Sequence, residues 1–564
     1  MRGTGPVLLL VLAVALGMLA VGQGASWDRS QDDQADFRAG APVRMLSAGQ
    51  AELGSTETYA AVPGVREIAP AVRSELTLSG DRTATVLALD TSRAADAVLI
   101  RPDLADGPVR PLLAGMAAEG AAAGVRVPAG TARLGLTATL RSSDPGSAMT
   151  ADLTVTVEDR YGTPYRLPAG ELAADGRART LAVGVTAGPL TLTGVELVMV
   201  QPPGRAERHR LTVAGMTATA ADGTVRRLEL PDAWTAAGHR DAPDAGAGVQ
   251  TAPTELPLRS STPPSTEYDT GRTPAGRALD PSELTVRLWI ARPVPATVAA
   301  VATDRFLAST GARVGQRIEV ALGGHDVPVR IARAVRELPT TAPETSSAQD
   351  GGAVLVDLRS VNRVLQQRHG TAITPTEWWL RPAPGRADEV AAVLRAFPDV
   401  EPTQVVVRDE LAERLRDDPF GAGSEAAFAA AAVVAALLAA VGFTVSVAGS
   451  LRERGAEFAV LRALGAPRGR LARAVAVEQG LLVGLALLVG AALGAVLTRA
   501  VVPLIVLTSQ ATRPVPDVHV VLPPGRVAVL LAAVALAPLL VTAALSVRRT
   551  DPAATLREQG GETG

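Results

Sequence analysis

Ala426-Ala-Phe-Ala-Ala-Ala-Ala-Val-Val-Ala-Ala-Leu-Leu-Ala-Ala-Val-Gly-Phe-Thr-Val-Ser-Val-Ala448 is the first of three long apolar runs that decide the fold. The others are Val475–Leu507 and Val527–Val547. Each is long enough to cross a bilayer core, which takes about 20 helical residues. In lipid only helices and closed barrels satisfy their own backbone, and runs this rich in Ala, Leu and Val read as helices. A fourth run, Pro6–Val21, has Arg2 before it and the small residues Gly22, Gly24 and Ala25 after it. Two readings fit residues 1–24: a cleaved signal peptide or a short helix that stays in the membrane.

At 564 residues the chain has room for several domains. A net charge of −2 gives no nucleic-acid footprint. There is no cysteine, so neither a disulfide framework nor a thiolate metal site exists. Every basic residue is arginine; no lysine occurs. A Walker A phosphate loop and a lysine Schiff base are therefore both excluded. The histidines His209, His239, His325, His369 and His519 are dispersed in the sequence. No Gly-x-Ser-x-Gly or paired metal-ligand spacing accompanies them, so an enzyme of the outer face has little support.

Between the helices lies a long polar middle. Asp28, Asp32 and Asp36 recur every four residues and share one face of a helix. They read as a solvated helical extension, with Trp27 at the interface; a calcium site lacks the Gly-turned ligand loop it would need. Residues 25–127 read as the first part of an extracytoplasmic α/β domain, with strands at Thr83–Leu89 and Val98–Ile100. Residues 128–235 change to short alternating runs, among them Leu134–Leu140, Leu153–Val157, Leu192–Val200 and Leu211–Gly215. That spacing predicts a β-sandwich-like insert, of plain sandwich or jelly-roll type. It is a structural insertion or a sugar-binding module, and no cluster of aromatics and acids marks a binding face. Residues 236–284 carry scattered prolines and little apolar content, and read as a linker. Residues 285–420 resume a β-α-β rhythm as the second α/β part. There Trp378 and Trp379 read as one core and one surface contact.

Residues 421–564 form the membrane module. Loop 450–474 carries Arg452, Arg454, Arg462, Arg468, Arg470 and Arg473, and the tail carries Arg548, Arg549 and Arg557, whereas loop 508–525 has only Arg513. Positive-inside bias then puts the first loop and both termini in the cytoplasm and the middle of the chain outside. Gly480 with Gly484, and Gly490 with Gly494, are small residues four apart that let helix backbones approach. Pro538 predicts a kink in the last helix. Glu478 stands at the cytoplasmic end of its run, either as a functional ionisable residue or at headgroup level near Arg473 or a partner chain. Residues Glu453–Leu464 fit a short helix with Phe458, Val460, Leu461 and Leu464 on its apolar side, Gly465 ending it and Pro467 opening the next. The product is an elbow beneath the membrane. It either presses on a soluble partner or only anchors in headgroups.

Leu451-Arg-Glu-Arg-Gly-Ala-Glu-Phe-Ala-Val-Leu-Arg-Ala-Leu-Gly-Ala466, Glu478 ahead of a Gly-rich helix, Pro538, and Arg548-Arg-Thr-Asp-Pro-Ala-Ala-Thr-Leu-Arg557 stand in this order. Over about residues 425–557 the chain thus resembles the FtsX-like permease family, the MacB-type membrane subunits of ABC transporters. The resemblance implies an α-helical membrane protein with four transmembrane helices, the first of them retained, and a large extracytoplasmic α/β domain. It implies a plasma-membrane permease, not an enzyme, without cofactor or metal. A separate cytoplasmic ABC ATPase would drive export or mechanical signalling. It places ATPase coupling on Arg454, Glu457, Leu461, Arg462 and Gly465. Relatives often carry the module twice, so a second permease copy or a sister permease is an implied partner, with an extracytoplasmic partner besides. The abrupt start also resembles the second half of a longer permease. The alternative is a membrane-anchored extracellular binding or scaffold protein that needs no ATPase.

Overall fold

The computed structural model describes the chain apart from residues 1–3, 48, 50, 106, 118–122, 186–187, 202–205, 242–253, 262–263, 272–281, 342–348, 418, 454–467, 507–513 and 548–564. The chain divides into two compact units, Asp36–Asp409 and Met1–Ala35 with Glu410–Gly564.

In the first unit a nine-stranded mixed sheet runs in the order Arg317–Leu322, His325–Val335, Val298–Thr303, Asp350–Asp357, Arg82–Leu89, Val65–Leu78, Glu377–Pro382, Val43–Leu46 and Val405–Val407. Successive side chains of a strand point to opposite faces, and both faces of this sheet are covered. Ala84, Val86 and Ala88 pack with Val361, Val364 and Leu365 of helix Leu358–His369. Leu87 and Leu89 pack on the other side with Leu112, Leu113 and Met116. Trp378 and Trp379 obey the same alternation. Both are fully buried, in separate cores, so the expected surface contact is corrected. A strand covered on both faces has no solvent side to offer.

The insert is two sheets around one core. Leu258–Ser261, Ser265–Asp269, Arg208–Ala220, Thr131–Ser142 and Arg179–Gly184 lie in one. Thr254–Glu255, Trp234–Asp241, Ser282–Ile290, Leu190–Gln201, Thr150–Glu158 and Pro164–Ala173 lie in the other. Leu134, Leu136 and Leu140 of the first sheet meet Leu153, Val155 and Leu197 of the second. A bulge keeps Leu190–Gln201 in phase. Gly194 pairs with Thr156 and Leu192 with Val157, leaving Thr193 as the extra residue. Leu190 and Leu192 point inward before it, and Val195, Leu197 and Met199 after it. Without that extra residue the second set would face away from the core.

Two expectations change here. The stretch read as a Pro-rich linker, 236–284, supplies strands to both sheets and buries Leu256 and Tyr268. Strand Ser282–Ile290, read as the opening of the second α/β part, lies between Trp234–Asp241 and Leu190–Gln201 inside the insert.

The insert is fastened to the α/β domain by polar contacts to helix Leu358–His369. Asp357 caps that helix, its Oδ2 accepting from the Ser360 amide at 2.8 Å. At the other end Arg287 donates to the carbonyls of Gln366 and Arg368 at 3.3 and 3.4 Å, where the helix dipole favours a cation. Trp289 Nε1 donates to Gln367 Oε1 at 2.9 Å. Arg292 Nη2 meets Glu158 Oε2 at 2.6 Å with both side chains buried. Gly370 ends the helix at φ 72°, and a Cβ there would collide with the Arg287 guanidinium. The histidines are less dispersed than their numbering suggests: His325 and His369 stack with centroids 4.0 Å apart. Burial, then His325 and the guanidiniums of Arg287 and Arg368, push His369 below the usual histidine range.

Candidate functional site: the membrane bundle

The second unit is helical. Its helices are Pro419–Glu453, Arg468–Ile505 and Pro524–Val547, with most of Thr4–Ala39. Among the described residues two helical stretches are long and apolar enough to cross a membrane, Val7–Ala39 and Gly480–Ile505. Ala426–Gly442 and Pro524–Leu536 are apolar but shorter. The four-helix expectation is thus reduced to two full-length candidates.

The inward faces form one core. Leu10, Ala13, Val14 and Met18 of the first helix meet Ala435 and Ala439, Val483 and Ala486, and Val534. Glycine sets the closest approach. A Cβ at Gly490 would come within 2.7 Å of Val14 Cβ and 3.0 Å of the Val11 carbonyl oxygen. One at Gly494 would lie 2.8 Å from Met18 Cβ. Gly480 and Gly484, with the same spacing, have nothing within 4 Å. The first helix contributes glycines that sequence reading missed as packing residues. Gly17 meets Leu530, and Gly22 meets Thr498 and Leu522. Their five-residue spacing hides them from a search for small residues four apart.

Several polar groups within the bundle are paired. Thr498 Oγ1 donates to the Gly494 carbonyl one turn back at 2.7 Å. The Val521 amide donates to Ser26 Oγ at 3.0 Å. Trp27 packs with Val502 and Val506. Asp32 pairs with Arg416 at 2.5 Å. In the other unit Asp36 pairs with Arg408 at 2.6 Å. Two of the three aspartates once weighed as a cation face are therefore held by arginines.

The outward faces are apolar. Leu481 is 76% exposed, and Val477, Leu488 and Val529 are each 71% exposed. Water does not tolerate contiguous apolar surface of this extent, and a bilayer does. Residues 429–551 match the family model of the FtsX-like permease C-terminal domain.

This segment is an FtsX-like permease domain.

No curated protein matches the chain. FtsX-like permeases are ABC transporter components rather than enzymes and normally work with an ATPase partner. The FtsX-like domain and the apolar helices together indicate a membrane protein. The expected coupling residues Arg454, Glu457, Leu461, Arg462 and Gly465 lie outside the described residues. Glu478 is on helix Arg468–Ile505 with an exposed side chain. Position 538 falls inside helix Pro524–Val547.

Proposed function

We propose that the chain is the membrane-spanning permease subunit of an ABC transporter, moved by a separate ATPase. The observation that carries this reading is the FtsX-like match over a bundle with an inward glycine seam and an outward apolar face. The absence of lysine supports it, because the nucleotide loop must then belong to another chain.

In this reading four helices cross the membrane, Thr4–Ala39 being the first, and both termini are cytoplasmic. The seating of Val14 and Met18 on Gly490 and Gly494 favours a retained first helix over a cleaved leader. The elbow at 450–470 receives the ATPase through Arg454, Glu457, Leu461, Arg462 and Gly465. Nucleotide-driven movement there passes along the helices to the domain outside. The work done is export or mechanical signalling.

Topology is testable because the chain contains no cysteine, so each introduced one is unique. A membrane-impermeant maleimide should label Asp222→Cys in intact cells and Arg462→Cys only after permeabilisation. Labelling of position 462 from outside overturns the proposal.

A further inference from the structure

The C-terminal end of helix Leu358–His369 is where Arg287 of the insert grips the α/β domain, and two histidines meet there. His325 opens strand His325–Val335 after the turn at Gly323 and Gly324. Its ring stacks on that of His369 with centroids 4.0 Å apart and planes 10° from parallel. Both rings are half-buried. Arg287 donates to the carbonyls of Gln366 and Arg368. It lies so close to the next turn that a Cβ on Gly370 would fall 2.0 Å from Nη1. The guanidinium therefore rests on the segment 366–370 that carries His369.

That seat is a loose one for a buried cation. The two hydrogen bonds, at 3.3 and 3.4 Å, are longer than the usual range of about 2.7–3.2 Å. Nε has no hydrogen-bond partner among the described residues. A cavity of about 30 Å³, lined by Thr193, Glu196, Arg287 and Gln366, lies beside the guanidinium and leaves it room to shift. Trp289 packs on its face at 4.9 Å. Glu196 acts on Arg287 but is itself paired with Arg166.

The groups that act on His369 are all basic: His325 from the hairpin, Arg287 from the insert and Arg368 from its own helix. Asp326 follows His325 but is exposed. A helix C-terminus ordinarily favours a cation, yet here Arg287 already holds the carbonyls. An imidazolium at position 369 would compete with Arg287 for one helix end, and would stand 4.0 Å from a second ring able to take a proton in the same range. Burial, then His325 and the two guanidiniums, push His369 below its ordinary 6.5. As pH falls, the opened chain takes this proton before the closed one does. The contribution to stability is therefore complete above about 6.5 and is lost below it.

We propose that the His325–His369 stack is an acid-sensitive latch: protonation drives Arg287 off the end of helix Leu358–His369 and loosens the insert from the α/β domain. The buried pair of Arg292 and Glu158 is not part of the latch, so the insert is loosened and not released.

The test is amide hydrogen exchange of the full chain in detergent micelles at about pH 8 and about pH 5, with exchange times scaled to the intrinsic rate at each pH. One pK unit is worth a factor of about ten, so protection of peptides covering 284–290 and 366–370 should fall about three- to tenfold at the lower pH. Leu134–Leu140, in the core of the same insert, should keep its protection. The double variant His325→Gln/His369→Gln should hold the junction equally at both pH values. Asp159 titrates in wild type and variant alike and drops out of the comparison. His519→Gln, in the other compact unit, should respond as wild type does. Unchanged wild-type protection overturns the proposal, as does an equal fall in the double variant, a fall spread over the whole insert, or a response abolished by His519→Gln. Should the double variant fail to fold, His325→Gln alone decides: a smaller fall than in wild type supports the latch, and an equal one overturns it.

Discussion

Replacing Gly490 and Gly494 with alanine should loosen the bundle, whereas the same change at Gly480 and Gly484 should not. Carbon atoms in contact rest about 3.5–4.0 Å apart. The new methyl groups would sit 2.7 Å from Val14 Cβ and 2.8 Å from Met18 Cβ, and at Gly490 the backbone oxygen of Val11 at 3.0 Å blocks retreat. The first helix must then move off by about 1 Å, and overpacking of this kind costs about 1–3 kcal/mol per site. At Gly480 and Gly484 a Cβ meets nothing within 4 Å. All four changes gain the same helix propensity, about 1 kcal/mol, so it cancels in the comparison. The double variant Gly490→Ala/Gly494→Ala should therefore be about 2–6 kcal/mol less stable than Gly480→Ala/Gly484→Ala. Unfolding in mixed micelles of rising SDS fraction, read by helix ellipticity, measures the difference. Two double variants within about 0.5 kcal/mol of each other, or the reverse order, would refute the packing argument.

Arg292→Met leaves Glu158 buried without its partner and should cost about 3–5 kcal/mol in chemical denaturation, with much of it regained in Arg292→Met/Glu158→Leu. Gly370→Ala forces a left-handed residue, about 1–2 kcal/mol, and displaces Arg287 from the helix carbonyls, so limited proteolysis should cut the insert faster. Burial and then Glu57 push the Asp159 carboxyl up to about 8 from an ordinary 3.8. Between those values the folded chain holds a proton that the unfolded chain has lost. Stability should therefore fall as pH rises from about 4 to 8, and Asp159→Asn should flatten the slope. An equal slope in wild type and variant counts against the assignment.

The local sequence carried the elements better than their partners. The alternation in Leu134–Leu140 reads directly as a strand, because it buries every second residue; Thr83–Leu89 reads as a strand too, although Leu87 and Leu89 are buried on its second face as well. Leu284–Ile290 reads as a strand for the same reason, yet nothing in it says that it joins the insert. The stretch 236–284 misled through composition. A segment too polar to fold alone still folds on an existing sheet edge, where Ser265–Asp269 pairs with Arg208–Ala220 and buries Tyr268. The bulge at Thr193 has no local signature, since it is set by register with Thr156 and Val157. In the bundle the spacing of Gly490 and Gly494 marks a close approach, but identical spacing at Gly480 and Gly484 meets no neighbour among the described residues. Small residues announce that a helix can be approached; only the fold says by what.

The dependence of this chain on a separate motor is tested most directly by isolating it from its own membranes under mild detergent and identifying what comes with it. The account expects an ATP-binding subunit with a Walker A loop in the isolated complex, lost when Leu461→Asp disrupts the elbow while the rest of the chain stays folded. A well-folded chain that never brings down an ATPase, or one whose ATPase is retained and equally active with Leu461→Asp, would contradict it.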